Sequence, residues 1–104
     1  MIDSVIRFRL YVAGTLPNSE RAMGNLTRFC QRHLPERHRI EIVDVLESPH
    51  RALEDRVLLT PTLLILTSTA RTIVGDLSNT AVLHQALAAE LDRDDAPGTG
   101  GSPK

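Results

Sequence analysis

The chain predicts an α/β fold built on a mixed sheet, and three observations carry that expectation. Residues 5–13 alternate, with Ile6, Phe8, Leu10 and Val12 on one side and Arg7, Arg9 and Tyr11 on the other, the period-2 pattern of a strand. Gly14 to Pro17 breaks that strand, and Ala22, Met23, Leu26, Phe29 and Cys30 then recur at steps of three and four, the pattern of an amphipathic helix. Further strand-like and helix-like stretches alternate after it.

The remaining features follow in order. Asn18 or Ser19 can cap the first helix. Arg28, Arg32 and His33 gather in its last turns, where cations meet the negative end of the helix dipole, and Pro35 ends it. Ile40 to Leu46 is more apolar than polar, as in a strand covered on both faces. Ser48 and Pro49 open a short helix, serine at the cap and proline at the first helical position, where its missing N–H costs nothing. Ala52, Leu53, Val57 and Leu58 give that helix an apolar side. Thr62 to Leu66 reads as a third strand, Thr67 to Ala70 as a turn and Arg71 to Val74 as a fourth strand, hairpin-paired with the third. In the loop from Gly75 to Ser78, Asp76 is expected to cap a last helix lined by Val82, Leu83, Ala86, Leu87 and Leu91. From Asp92 onward charge, Gly, Pro and Ser dominate, which predicts a disordered tail over 92–104 behind one domain over 1–91.

The order β-α-β-α-β-β-α implies parallel pairing with right-handed crossovers, with an antiparallel edge from the late hairpin. It matches a thioredoxin-like fold. Under that fold Pro61, directly before the third strand, takes a cis peptide bond, which a tertiary amide makes accessible; an ordinary trans proline opening a strand is the alternative.

Composition narrows the function classes. With 104 residues and 41% apolar content the chain can build one small core, burying roughly two-thirds of its unfolded surface, a margin that oligomerisation could supplement. A formal net charge of −1 argues against a nucleic-acid binder relying on bulk electrostatics. Eleven of the 12 basic residues are arginine, whose planar fork suits carboxylate partners, although skewed codon usage explains the bias as well. One cysteine excludes an internal disulfide and a multi-cysteine zinc site. No signal-peptide pattern is present, and no apolar stretch approaches the roughly 20 residues that span a bilayer. The expectation is a soluble cytoplasmic protein without nucleic-acid or membrane partners.

The candidate chemistry is sparse. In thioredoxin-like redox proteins the junction corresponding to 14–19 carries a cysteine pair; here it reads Gly14, Thr15, Leu16, Pro17, Asn18 and Ser19, and thiol exchange needs a thiolate. Cys30 lies on the apolar stripe of the first helix and reads as a small buried hydrophobe, the alternative being a reactive thiol in an enzyme. His33, His38, His50 and His84 fall on different elements without ligand spacing, so surface histidines are expected rather than a metal site. Asp44 and Asp76 lack the nucleophile or metal that an acid/base pair would serve. Gly75-Asp76 is far short of a phosphate cradle. Glu54, Asp55 and Arg56 make a compact charged surface, either a solvated face or a contact. No cofactor is expected.

Four blocks in order, LYVAGTLPNSERA (residues 10–22), IVDVLESP (42–49), LEDRVLLTPTL (53–63) and TIVGDLS (72–78), resemble the KaiB family of circadian clock proteins, over roughly residues 5–91. The resemblance implies a non-enzymatic regulator whose clock members bind the KaiC ATPase, sequester KaiA and influence a sensor kinase. It also implies a metamorphic chain, in which a tetrameric ground-state fold interconverts with the thioredoxin-like monomer that binds. Two packings within a few kcal/mol permit such switching, and a rarely populated binding form lowers apparent affinity by its population. Arg21, Arg56 and Arg71 keep basic residues where clock members carry them, and are the expected partner contacts. Glu41 stands where clock members show Lys, a specificity change, since a charge reversal can cost several kcal/mol against an old partner; Ile6 replaces a Tyr. Pro61, Gly75 and Asp76 belong to the fold-switching segment. In the last helix Ala86 and Ala88 replace Gly and Asp. Because Gly costs roughly 1 kcal/mol relative to Ala inside a helix, the pair is expected to favour the thioredoxin-like form over the tetramer. An NMR spectrum whose major species has a different C-terminal half would overturn this. A dimer or tetramer, a partner-switched stress adaptor without KaiC binding, and an enzyme using Cys30 are the alternatives.

Overall fold

The computed structural model describes residues 5–67 and 70–91. Among them run β1 (Ile6–Val12), α1 (Pro17–His33), β2 (His38–Asp44), α2 (Pro49–Glu54), β3 (Thr62–Leu66), β4 (Arg71–Val74) and α3 (Thr80–Ala86). The element order is the expected one. The tail expected from Asp92, and residues 68 and 69 of the expected turn, lie outside the described residues.

The sheet has the order β2-β1-β3-β4. β1 pairs with β2 in parallel, from Ile6↔His38 to Val12↔Asp44. The expectation of parallel pairing fails at β3, which runs antiparallel to β1 with Tyr11 opposite Thr62. The reason lies in lengths. The six residues of α2 rise about 9 Å at 1.5 Å each, whereas the seven of β2 span about 23 Å. So short a helix cannot carry the chain back along the strand, and β3 starts at the end where β2 stopped. β4 then pairs antiparallel with β3, as expected.

The alternation in β1 sorts the two faces. Ile6, Phe8, Leu10 and Val12 meet Ala22, Leu26, Phe29 and Cys30 of α1, with Leu63, Ile65, Leu83 and Leu87 closing the main core. Tyr11 and Val43 point the other way, against Ala52 and Val57. The expectation that the second strand is covered on both faces is not met: β2 is an edge strand, only Val43 in it is buried, and Ile42 is exposed.

Helix starts depart from expectation in an instructive way. α1 begins after Leu16 with Pro17 in its first turn, not at Asn18 or Ser19. Proline has its φ preset and no N–H to leave unpaired, so it suits that position, and the buried Ser19 instead accepts the Ala13 N–H at 3.0 Å with its hydroxyl. Ser48 is the N-cap of α2, with Pro49 in the first turn and no side-chain bond from the serine. The cap of α3 is Asn79, whose Oδ1 accepts the Ala81 N–H at 3.1 Å, rather than Asp76. α3 is not one continuous helix either. It ends at Ala86 and residues 88–91 are helical again, so Ala86 and Ala88 flank a break at Leu87. Leu87 is fully buried, and its N–H still reaches the Leu83 carbonyl at 3.0 Å; its packing overrides the helix propensity of its neighbours. Ala86 packs against the core and Ala88 is exposed.

Two glycines and one proline fix the loops at the end of the sheet where β1 stops and β3 starts. Gly14 has φ 57°, a left-handed conformation that L side chains resist, and a Cβ there would lie 3.3 Å from Leu46 Cδ1. The Thr60–Pro61 peptide is cis, as expected, and the Pro61 carbonyl accepts the N–H of Gly75 (φ 122°) at 2.9 Å.

Candidate functional site

At this end of the sheet Asp44 and Asp76 are loop braces. Asp44 Oδ1 accepts the N–H groups of Gly14 at 3.1 Å and Leu46 at 2.9 Å. Asp76 Oδ1 accepts the Ser78 N–H at 3.0 Å, its Oδ2 lies 3.4 Å from Arg21 Nε, and its carbonyl accepts from Asn25 Nδ2 at 2.8 Å. The Ser78 side chain and N–H, then Arg21, hold the Asp76 carboxyl below its ordinary value. Both carboxylates thus hold loops through backbone N–H groups. The structure thus gathers Arg21, Pro61, Gly75 and Asp76, and Arg21, which also reaches Asn18, borders a shallow groove with Leu16, Pro17 and Thr60.

A polar network on the opposite face of the sheet joins β1, β2 and α2. The register places Arg9 beside Glu41, and Arg9 Nε donates to Glu41 Oε1 at 2.8 Å while its Nη1 donates to Asp55 Oδ2 at 3.0 Å. Arg51 Nη1 lies 2.7 Å from the other Glu41 oxygen. The Tyr11 hydroxyl meets Asp55 Oδ2 and the Arg51 carbonyl, the latter at 3.0 Å. Arg51 and Arg9 hold the Glu41 carboxyl down at about 2. Burial, then Asp55, pushes the Tyr11 phenol up to about 12, and Tyr11 and Arg9 in turn lower Asp55. Sequence reading missed this network, although it singled out Glu41 and, as part of a charged surface, Asp55, which the structure turns inward to Tyr11 and Arg9. The signals available were the Arg51–Asp55 spacing of four on a helix and two polar side chains on a central strand, which need partners when covered.

The same segment exposes its leucines. Of the apolar side expected for α2, Ala52 and Val57 are buried, but Leu53 is 74% and Leu58 90% exposed. Leu59 at 63% and Leu46 at 72% extend the exposure on either side of the helix. The cause is the way α2 ends. Arg56 adopts φ 59°, its N–H bonds the Leu53 carbonyl at 3.1 Å, and the Val57 N–H bonds the Ala52 carbonyl at 2.8 Å, the paired closure of a Schellman turn. This turns Val57 back onto Ala52 and swings Leu58 outward. Arg56, Leu58 and Leu59 line a groove of about 450 Å³ with Thr62, Leu64 and Val74. Arg71 stands apart. It pairs with Ile65 and so shares that residue's face of the sheet, where it lines a groove with Val82 and Ala86. Ile6 is buried in the main core, away from any contact face.

Cys30 is fully buried, and burial pushes its thiol up to about 12. Native protein is expected to resist thiol labelling, with Cys30 reacting only on unfolding; labelling at the rate of a free thiol would show that α1 is open. The four histidines are less scattered than their spacing suggests, because His33 and His84 stack edge-on at 4.6 Å between ring centroids, each also against Phe29. No group of three potential metal ligands occurs among the described residues, and none of their helices is long and apolar enough to cross a membrane.

These titrations give acid stability two steps. Burial, then the charges of His84 and Arg32, lowers His33 below its ordinary 6.5. The unfolded chain therefore binds the proton first, and stability starts to fall as pH drops below about 6.5. Glu41 and Asp55 are depressed as well, so their contribution is intact above the ordinary carboxylate range and is lost as pH falls through their lowered values, for Glu41 towards about 2. Urea midpoints measured from pH 8 to 2 are expected to show both declines; a His33→Gln variant should lose the first, and a Glu41→Gln variant should flatten the second.

Comparison with known proteins converges on one family. The KaiB domain model matches residues 9–89. The circadian clock protein KaiB3 of Synechocystis sp. is 43% identical over 76 residues, covering 72% of this chain and 74% of that protein. The circadian clock oscillator protein KaiB of Thermosynechococcus vestitus is 43% identical over 72 residues, covering 68% of this chain and 67% of that protein. Among solved structures, the N-terminal domain of Synechococcus elongatus SasA superposes with TM-score 0.72 at 13% identity, over 99% of this chain and 93% of that one. Mitochondrial thioredoxin 3 of Saccharomyces cerevisiae superposes with TM-score 0.65 at 22% identity, over 81% and 77%. Those two likenesses establish the thioredoxin-like fold, and with the domain match and the relatives at 43% identity the chain belongs to the KaiB family.

Proposed function

We propose that this protein is a non-catalytic, clock-type regulator that docks on a KaiC-type ATPase through α2 and the loop that follows it. The carrying observation is the set of exposed leucines, Leu46, Leu53, Leu58 and Leu59, around an arginine held at the tip of α2. Several large apolar side chains exposed together on a small domain mark an interaction surface, and arginine beside apolar side chains is the composition of a binding hot spot. Arg56 is the central charged contact and Arg21 a flanking one, its groove adjoining the first through Leu59 and Thr60. Arg71, on the other face of the sheet, would meet a partner only from the side of α3. Membership of a family whose relatives are named clock proteins supports the assignment, as does a junction at 14–19 without the cysteine that thiol exchange needs.

A pull-down against the KaiC-type ATPases of the source organism tests the reading. The wild-type chain is expected to retain one of them and Arg56→Glu to lose it. If the wild-type chain retains none, the reading falls.

A further inference from the structure

The partner surface proposed above hangs on a helix too short to hold itself. α2 has six residues, and isolated helices below about a dozen residues are marginal in water. Its apolar anchorage is small too, since Ala52 is its one buried residue and Val57 follows in the turn. Yet Arg56, two residues past its end, is fixed in a left-handed conformation that a non-glycine residue adopts at a cost. Something other than the helix must over-determine the geometry of this segment.

We infer that Tyr11, Arg9, Glu41 and Arg51 form a latch that pins α2 to the sheet through Asp55 and thereby sets the direction in which Arg56 faces the partner. This rests on the docking reading given above. Asp55 is the keystone because it is the residue before Arg56 and takes hydrogen bonds from both Tyr11 and Arg9 on the central strand. Arg51, one turn earlier, is held by its guanidinium to Glu41, and its carbonyl shares the single Tyr11 O–H hydrogen with Asp55. Glu41 in turn is clasped by Arg9 and Arg51 together. α2 and the residue that follows it are thus tied to β1 and β2 at side chains whose positions the sheet register fixes. The pairs also balance: two guanidinium charges meet two carboxylates, so the cluster shows a partner little net charge. Glu41 is then a positioning residue, the internal counter-ion of Arg9 and Arg51, and its role as a specificity change is exercised through α2 rather than by touching the partner.

Tyr11→Phe removes one hydroxyl and keeps the buried ring; Glu41→Gln removes the clasping charge from a half-exposed site, so each change is local. Hydrogen exchange on the full chain reads the latch without any partner. Amides of residues 51–57 are expected to exchange at least about tenfold faster in both variants, with those of β1 and β3 unchanged. Unaltered exchange over 51–57 in both would overturn the latch. Binding to the ATPase reads the positioning. Tyr11→Phe should weaken it several-fold in the wild-type background and add little to an Arg56→Ala background, because no guanidinium remains to be aimed. Equal losses in the two backgrounds would show a general effect on the fold and overturn the positioning role. Faster exchange over 51–57 with wild-type affinity would leave the latch standing and remove α2 from the interface.

Discussion

Leu58→Asp is expected to lower affinity for the ATPase partner by about 100-fold or more while leaving the domain within about 0.5 kcal/mol of wild-type stability. The two halves of this expectation have one cause. Leu58 is 90% exposed in the free protein, so there is nearly no contact for the native state to lose. In the complex it would enter an apolar interface, where an unpaired carboxylate loses its water at a cost of several kcal/mol, and each 1.4 kcal/mol is a factor of ten in affinity. Titration calorimetry against the partner and urea unfolding of the free variant separate the effects. An unchanged dissociation constant would take Leu58 out of the interface. A stability loss above about 1 kcal/mol would mean that the leucine is inside the native fold and the turn at Arg56 is not as described.

That turn also shows where the sequence stops being legible. In β1 two faces of opposite character repeat over seven residues, so the pattern decides the strand and its orientation by itself. α2 is under two turns long, and in Ala52-Leu53 and Val57-Leu58 each apolar residue has an apolar neighbour, so periodicity cannot say which member of a pair goes inside. The backbone decides it, through a left-handed residue that in such helix ends is usually glycine and here is arginine. The polar network was hidden for a different reason. Arg9 and Asp55 lie 46 positions apart and Arg9 and Glu41 lie 32 apart; the parallel register between β1 and β2 joins the second pair, and the packing of α2 on the sheet joins the first. The antiparallel course of β3 was readable in principle from the length of α2, which the assumption of regular crossovers overrode. The cis proline, the third and fourth strands and the buried Cys30 were legible because each depends on local chemistry at a position the element order supplied.

Phe8→Ala should act on the opposite quantity, lowering stability by about 3–5 kcal/mol. Phe8 lies in the second strand from one edge of the sheet, flanked by Ile40 on β2 and Ile65 on β3, and is 1% exposed against the α1 side. The sheet frame cannot collapse into the space the ring leaves, because the strand spacing is fixed by hydrogen bonds on both sides, so the cavity persists and the penalty sits high in the usual range. For a domain of this size, with about 5–15 kcal/mol in total, that consumes a large part of the margin and makes growth temperature critical. Urea denaturation at 10 °C is the measurement, and a loss below about 1.5 kcal/mol would show that α1 shifts to fill the gap. The functional consequence differs in kind from that of Leu58→Asp. A destabilised chain binds less only in proportion to its unfolded fraction, so Phe8→Ala should recover wild-type affinity wherever cooling or a stabilising osmolyte keeps it folded. Leu58→Asp should not recover under any such condition, since the fold is intact and the contact itself is gone.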